Sequence, residues 1–237
     1  KALEFGYIEV QDVTTQLGVF AIAGPKSREV LKAVVKDSDP ETVLSNKRFP
    51  WLSVRQIELG MCPVNAARVA YTGELGWELH HPIEMQNYLF DLLEAAGAAH
   101  GMKLVGARAQ NWLRLEKSYR AFGNELGRDS TPLEANLSRF VDFNKKFIGK
   151  EAMQALGMRS KCVTLLIDGP EDADPWGREA LYAPEGARVG RLTSGGYSVV
   201  FQCSIGLGYV RPELSAPGTK LKVKILDQLW PAEVTED

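Results

Sequence analysis

The hydrophobic pattern of the chain changes about two-thirds of the way along it. Up to residue 156, strand-like runs alternate with long amphipathic helix patterns, of which residues 84–100 form the clearest. Beyond it come short strand candidates separated by turns that contain glycine and proline, at residues 162–167, 187–193, 205–210 and 220–226. This switch predicts an α+β domain followed by a small all-β barrel or sandwich. We assign the two domains to residues 1–157 and 158–237.

Strands and helices alternate in the predicted first domain. The strands cover residues 17–23, 53–59 and 63–71, and the helices begin after Pro25, at residue 84 and at residue 107. The last of these helices is expected to run to Arg120. Gly101 stands where a C-terminal stop is needed for the helix that begins at residue 84.

Composition and charge exclude several classes of function. The 237 residues are 45% hydrophobic and 24% charged, which is typical of a globular protein. A formal net charge of −2 supplies no broad basic field, so nucleic acid is not an expected partner. Three widely spaced cysteines without a CxxC pair predict no metal site, and they fit a reducing compartment. No stretch is long and apolar enough to cross a bilayer, so we expect no membrane segment.

Residues 69–80, VAYTGELGWELH, are the best candidate for a ligand site. A strand that ends at Tyr71, turns through TGELG and resumes at Trp77 brings an aromatic ring and two carboxylates around one tight reversal. Such a set suits a flat, polar, heteroaromatic ligand. The alternative is that Tyr71 and Trp77 pack across a hairpin and that Glu78 is a solvated strand carboxylate, an arrangement common in hairpins.

Seven segments resemble the glycine cleavage T-protein (aminomethyltransferase) superfamily, in the family's order and across nearly the whole chain. They are GPKSREVL (24–31), YTGELGWEL (71–79), LRLEKSY (113–119), TPLEANL (131–137), FIGKEAM (147–153), VGRLTSGGYS (189–198) and GLGYVRPEL (206–214). The segment LEKSYRAFGNEL is closest in style to the folate-binding C-terminal portion of dimethylglycine and sarcosine dehydrogenases. The resemblance implies a folate-binding aminomethyltransferase-like α+β domain, followed by the C-terminal β-barrel domain of that type.

The resemblance also implies a cofactor, tetrahydrofolate, and residues that contact it. Glu78 stands where the family's carboxylate binds the aminopyrimidine edge of the pterin, and Tyr71 where an aromatic residue lines the site. Tyr119 matches a position where an aromatic residue near the folate occurs in some members. We interpret Arg114 and Glu116 as a structural ion-pair element outside the site.

The chain departs from the family pattern at two points. Gln110 occupies the position of an arginine that meets the glutamate tail of folate, and the nearest arginine, Arg108, lies two residues earlier. The match also begins downstream of the family's catalytic aspartate, and Asp12 does not lie in that motif. We therefore assign no catalytic residue. We expect the N-terminal part of the domain to be missing and the isolated chain to be inactive and to self-associate.

The function that the resemblance implies is tetrahydrofolate-dependent transfer of a one-carbon unit, aminomethyl or formaldehyde. The expected partners are a folate and an amine-derived substrate, with a flavin domain upstream of Lys1; no GxGxxG follows a strand, so no flavin is expected in this chain. Two alternatives stay open: a non-catalytic regulatory or binding module of the same fold, and a folate-dependent demethylase acting on another methyl donor such as a sulfonium. The expected compartment is the cytoplasm, or the mitochondrial matrix in a eukaryote.

Overall fold

The chain folds into two compact units, which divide between Leu104 and Val105 in the computed structural model. The structure describes residues 6, 8–170 and 172–236. The predicted domain division at residue 157 stays a prediction, because a compact unit and an inherited domain need not end at the same residue. No helix within the described residues is long and apolar enough to cross a membrane.

The first unit is a four-stranded antiparallel sheet with helices on one face. Its elements are β1 (Leu17–Ala23), α1 (Ser27–Val34), α2 (Pro40–Val43), β2 (Val54–Leu59), β3 (Cys62–Ala67), β4 (Gly76–Pro82) and α3 (Gln86–Ala98). The strand order is β1-β4-β3-β2, so β4 is a central strand paired with both β1 and β3. Helices α1 and α3 supply Val30, Leu31, Leu89 and Leu93 to the core beneath the sheet.

The alternation of side chains along β4 sets the two faces of this sheet. Trp77, Leu79 and His81 are buried on the core side, whereas Glu78 and His80 point to the opposite face. The opposite face is open, since Val19 on β1 is 50% exposed and Val54 on β2 is 67% exposed. The sheet therefore has one face covered by helices and one open face, on which polar and apolar side chains both reach solvent.

The second unit is a closed six-stranded barrel preceded by two helices. Its elements are α4 (Ala107–Glu116), α5 (Lys150–Leu156), β5 (Lys161–Ile167), β6 (Ala180–Tyr182), β7 (Arg188–Ser198), β8 (Cys203–Val210), β9 (Lys220–Ile225) and β10 (Gln228–Thr235). The barrel order is β10-β5-β8-β7-β6-β9, and all of its pairs are antiparallel. Aliphatic side chains fill its interior, among them Leu165, Leu181, Leu192 and Val223.

The predicted fold class, an α+β domain followed by a small β-barrel, is confirmed. The strand at residues 17–23 agrees with the prediction, and Gly101 ends α3 with φ +70°, the left-handed conformation of a helix stop. The helix after Pro25 begins at Ser27, with Lys26 as its N-cap. The residues after Thr131 form only a turn, although Thr131 and Glu134 exchange the hydrogen bonds of a capping box.

Two elements of the candidate site end earlier than predicted. Strand β3 stops at Ala67, so Tyr71 lies in the following loop and not on the strand. Helix α4 stops at Glu116 because Ser118 adopts φ +55°. The amides of Ser118 and Tyr119 then bond back to the carbonyls of Leu115 and Arg114, which is the Schellman pattern that closes a helix.

Candidate functional site

Glu78 lies at the centre of the open face of the first unit. Its register partners are Ala21 on β1 and Ala67 on β3, so small apolar side chains flank the carboxylate on both sides. The side chain is 39% exposed, and its Oε2 lies 3.5 Å from Nε2 of His80, two residues along the same face. That distance is too long for a strong hydrogen bond. The carboxylate therefore keeps acceptor capacity for a ligand.

Tyr71 lies in the loop that joins β3 to β4, with 45% of its surface exposed. Because Glu78 pairs with Ala67, the last residue of β3, Tyr71 and Glu78 belong to the same end of this strand pair. The loop is anchored where Leu75 rejoins the sheet, since its carbonyl accepts from the Gly24 amide at 2.8 Å and the Ser27 hydroxyl at 3.0 Å.

Trp77 does not pack against Tyr71 as an aromatic pair across a hairpin. Its ring is fully buried and meets Phe49 edge-on, with ring centroids 6.2 Å apart. The guanidinium groups of Arg28 and Arg68 lie over the same ring at 5.6 and 5.9 Å. Trp77 thus belongs to the core, and no stacking contact with Tyr71 occurs among the described residues.

Tyr119 belongs to the second unit, whereas Tyr71 and Glu78 belong to the first. It follows the left-handed Ser118, and 36% of its surface is exposed. Its backbone is held twice by Arg114: the Tyr119 amide donates to the Arg114 carbonyl at 2.9 Å, and Nη1 of Arg114 donates to the Tyr119 carbonyl at 3.0 Å.

A buried ion pair between Arg114 and Glu125 supports this segment, and sequence reasoning missed it. Both side chains have no exposed surface, and Nη1 of Arg114 lies 2.9 Å from Oε2 of Glu125. The guanidinium also donates to Asn111 at 3.0 Å and to the Ser194 hydroxyl at 2.6 Å. Four separate acceptors thus satisfy Arg114, counting the Tyr119 carbonyl.

Glu125 is equally well satisfied. Its carboxylate accepts from the Ala121 amide at 2.9 Å, from the Thr193 hydroxyl at 2.7 Å and from the Ser194 hydroxyl at 2.5 Å. The network joins α4, the loop after it and strand β7 of the barrel. The loop residue that completes the ion pair is eleven positions from Arg114 and in no periodic pattern, so spacing alone gives no signal for it.

The expected pairing of Arg114 with Glu116 is wrong, although both residues are structural. Glu116 accepts from the Ser198 hydroxyl at 2.6 Å and so ties α4 to the end of β7. The helix turns Arg114 toward Glu125 instead. Arg108, near the first turn of α4, stacks on two indole rings, with its guanidinium carbon 5.4 Å from the Trp112 centroid and 4.6 Å from that of Trp176.

Asp12 has a structural environment in the described chain. Asp12 accepts hydrogen bonds from the Thr14 hydroxyl at 2.6 Å and the Thr14 amide at 2.9 Å, and these bonds hold its pKa below the ordinary value. It is thus the cap of an exposed turn. Within the described chain, no group of three or more His, Cys, Asp or Glu side chains is arranged to hold a metal ion.

Two family models match the chain. The GCVT N-terminal domain matches residues 1–145, and the glycine cleavage T-protein C-terminal barrel domain matches residues 161–237. The first model alone covers more than half of the chain.

Similar proteins and a solved structure agree with these matches. Human mitochondrial dimethylglycine dehydrogenase is 39% identical over 245 residues, which cover 100% of this chain and 27% of that enzyme. The aminomethyltransferase of Thermus thermophilus is 34% identical over 99% of this chain and 62% of its own length. The crystal structure of glycine cleavage system aminomethyltransferase T from Bartonella henselae superposes with a TM-score of 0.77 at 25% identity, covering 93% of this chain and 58% of that one.

The chain spans about a quarter of the length of the dehydrogenases that it matches, 27% for the human enzyme. Its two matched domains follow each other in the order expected from the sequence segments, with the barrel last. On the family models, the chain belongs to the glycine cleavage T-protein family.

Proposed function

We propose that this chain is a tetrahydrofolate-binding module for one-carbon transfer, of the aminomethyl or formaldehyde type. Membership of the family and similarity to aminomethyltransferases and dimethylglycine dehydrogenase support the proposal. The observation that carries it is the position of Glu78, a partly exposed carboxylate between Ala21 and Ala67 on an open sheet face.

The surroundings of Glu78 fit the polar edge of a pterin. That edge presents two parallel donors, a ring N–H and an exocyclic amine, and one carboxylate accepts both in a bidentate contact stronger than a neutral pair. The alanines on either side leave room for a flat ring to lie against the sheet. His80, 3.5 Å from the carboxylate, limits its rotation without occupying both oxygens.

The remaining proposed contacts are aromatic. Tyr71 and Tyr119 each offer a half-exposed ring and a hydroxyl, which suit stacking on the ligand or a hydrogen bond to it. When bound, tetrahydrofolate supplies the nitrogen nucleophiles that accept the one-carbon unit. The chain's own residues bind and orient, and holding two reactants in register lowers the barrier by about 7–11 kcal/mol in favourable cases.

The wider assembly is also part of the proposal. We include an amine-derived substrate and a flavin domain upstream in a longer polypeptide, which is consistent with a chain that spans about a quarter of its dehydrogenase relatives, 27% for the human enzyme. Several of those relatives are mitochondrial enzymes, so a eukaryotic source would place the chain in the mitochondrial matrix and a bacterial source in the cytoplasm.

Calorimetric titration with a reduced folate tests the assignment of Glu78. Glu78→Ala is expected to weaken binding by about tenfold or more, since hydrogen bonds to a charged group contribute about 1.5–3 kcal/mol. Glu78→Gln should recover little, because its amide group presents a donor where the carboxylate had an acceptor. Glu58→Ala, which removes an exposed carboxylate from β2 of the same sheet, is the matched control and should bind as wild type.

Equal affinities for wild type and Glu78→Ala would reject the proposed site. The alternatives separate in a second assay. A non-catalytic module would bind folate without turnover in the full-length protein, whereas a demethylase acting on a sulfonium would consume that donor and not an amine. With no assigned group for proton transfer, these 237 residues alone are expected to bind folate without catalysing the transfer.

A further inference from the structure

A cavity of about 370 Å³ at one end of the barrel is lined by arginines and by no carboxylate. Its charged lining residues are Arg159, Arg188, Arg191 and Arg211. Three other cavities in the described chain each include at least one aspartate or glutamate in their walls. A site of a single charge sign is unexpected in a chain whose formal net charge is −2. We call this cavity the arginine pocket.

The register of the barrel strands brings these arginines together. Arg191 on β7 pairs directly with Tyr209 on β8, and Arg211 follows the end of β8. Gly190 permits the close approach of the two strands, since a Cβ there would stand 2.1 Å from the Tyr209 carbonyl oxygen. Arg159 precedes β5 on the other side of β8, so the antiparallel order gathers all of these groups at the same barrel end.

Most of the positive charge in the arginine pocket is uncompensated. Arg159 pairs with the buried Glu134, its Nε lying 2.9 Å from Oε1. Within the described residues, no ion pair reaches Arg188, Arg191 or Arg211. The hydrogen bond that Arg211 makes within the described chain goes to the carbonyl of Arg188, at 3.1 Å. Like charges in one concave site repel each other and concentrate the field that attracts an anion.

The floor of the pocket is neutral and ordered. The Tyr209 hydroxyl donates to the Glu125 carbonyl at 2.8 Å, and burial raises the pKa of Tyr209 to about 12. Tyr209 therefore adds no negative charge at neutral pH. Val189 and Val210 also line the pocket, and the planar guanidinium groups around it can offer paired N–H donors.

We propose that the arginine pocket binds a small multivalent anion bearing carboxylate or phosphate groups. Guanidinium groups bind both classes with bidentate geometry, and three free ones around one cavity match a ligand with at least two anionic groups. A short chain of glutamates and a phosphorylated metabolite are the two sources of this chemistry. The pocket lies in the second unit, apart from Glu78, and the proposal does not depend on folate binding.

The test is calorimetric titration of the whole chain with γ-linked triglutamate and with inorganic tripolyphosphate, at constant ionic strength set with sodium chloride. Wild type is expected to bind at least one of them saturably. The double variant Arg188→Ala/Arg191→Ala should bind about tenfold more weakly or worse, because charged hydrogen bonds contribute about 1.5–3 kcal/mol. Both side chains are exposed and without ion pairs, so folding should be unaffected.

Two controls make the outcome decisive. Arg48→Ala removes an exposed arginine of the first unit and should leave binding unchanged, and Glu78→Ala should also bind as wild type. Binding of triglutamate alone identifies the carboxylate source, and binding of tripolyphosphate alone the phosphate source. No saturable binding of either anion, or an equal loss in Arg48→Ala, would overturn the proposal and leave the folate assignment standing.

Discussion

Replacement of Arg114 by methionine is expected to destabilise the second unit by about 3 kcal/mol. Methionine approximates the length of arginine, but it removes the one cation that pairs with the buried Glu125 among the described residues. Removing one partner of a buried ion pair typically costs about 3–5 kcal/mol, since the other charge stays buried. Three donors remain on the carboxylate, from Ala121, Thr193 and Ser194, which puts the expected cost at the lower end.

A double-mutant cycle separates the ion pair from the rest of the network. Glu125→Gln alone leaves Arg114 buried without a countercharge, and it should also cost about 3 kcal/mol. The double variant buries no charge, so its cost should fall short of the sum by about 2 kcal/mol. Because the chain has two compact units, hydrogen exchange of the α4 and β7 amides is the suitable measure of unfolding free energy.

The same variant tests whether Arg114 positions Tyr119. Loss of the bond from Nη1 to the Tyr119 carbonyl should loosen the segment and weaken the binding of reduced folate. Leu165→Ala is the matched control: it destabilises the barrel core, to which the Leu165 side chain belongs, by about 2–5 kcal/mol and leaves Arg114 and its hydrogen bonds unaltered in sequence. A cost below about 1 kcal/mol for Arg114→Met, or additive single variants, would refute the ion-pair reasoning. Equal loss of folate affinity in Leu165→Ala would refute the positioning role.

Two further predictions concern stability. Hydrogen bonds from Arg159 lower the pKa of Glu134 from 4.5 to about 2, so its ionised form stabilises the fold above its ordinary pKa, and that stability is lost as the pH falls toward 2. Glu134→Gln should therefore lower the free energy of unfolding by about 2 kcal/mol near neutral pH, a value that allows for the half-exposed Arg159, and by almost nothing near pH 2. If the urea midpoints of wild type and variant differ by the same amount at both pH values, the prediction is contradicted. Gly208→Ala should lower the free energy of unfolding by about 1–3 kcal/mol, because the new Cβ would lie 2.6 Å from the Arg191 carbonyl oxygen. Gly127→Ala is the control, since open space surrounds Gly127, and it should leave the melting temperature unchanged. Equal melting temperatures for the two variants would argue against the steric cause.

Regular elements of the fold follow from the sequence because their pattern repeats. Strand β1 and the stop at Gly101 match the prediction, since each depends on local periodicity or on one backbone conformation. Strand β10 could not be predicted in this way: it contains Pro231, which lacks an N–H and argues against a strand. The proline still takes part in the barrel through its carbonyl, which accepts from the Asp168 amide at 3.0 Å.

The end of α4 shows a second limit of sequence reasoning. A sequence usually predicts the end of a helix from a glycine or asparagine, because these residues readily adopt the left-handed conformation. Here Ser118 adopts it instead. The residues after it bond to α4 and to the barrel, and these tertiary contacts outweigh the local preference. The sequence therefore located Tyr119 within a helix, whereas it lies just beyond one.

Glu78 and Tyr119 are oriented by different physical means. The alternating pattern therefore predicted the strand that carries Glu78, whereas the helical pattern wrongly extended α4 to include Tyr119. Along β4 a slip of one residue would bury Glu78 and expose Trp77 and Leu79, at a cost of about 2 kcal/mol for each apolar side chain and more for the unpaired carboxylate. The core residues of the strand thus fix the direction of its carboxylate. Tyr119 follows a helix end where no repeat applies, and its orientation depends on Arg114. A substitution that preserves the alternation of β4 should leave Glu78 in place, whereas the Tyr119 segment has no such protection from the loss of one buried side chain.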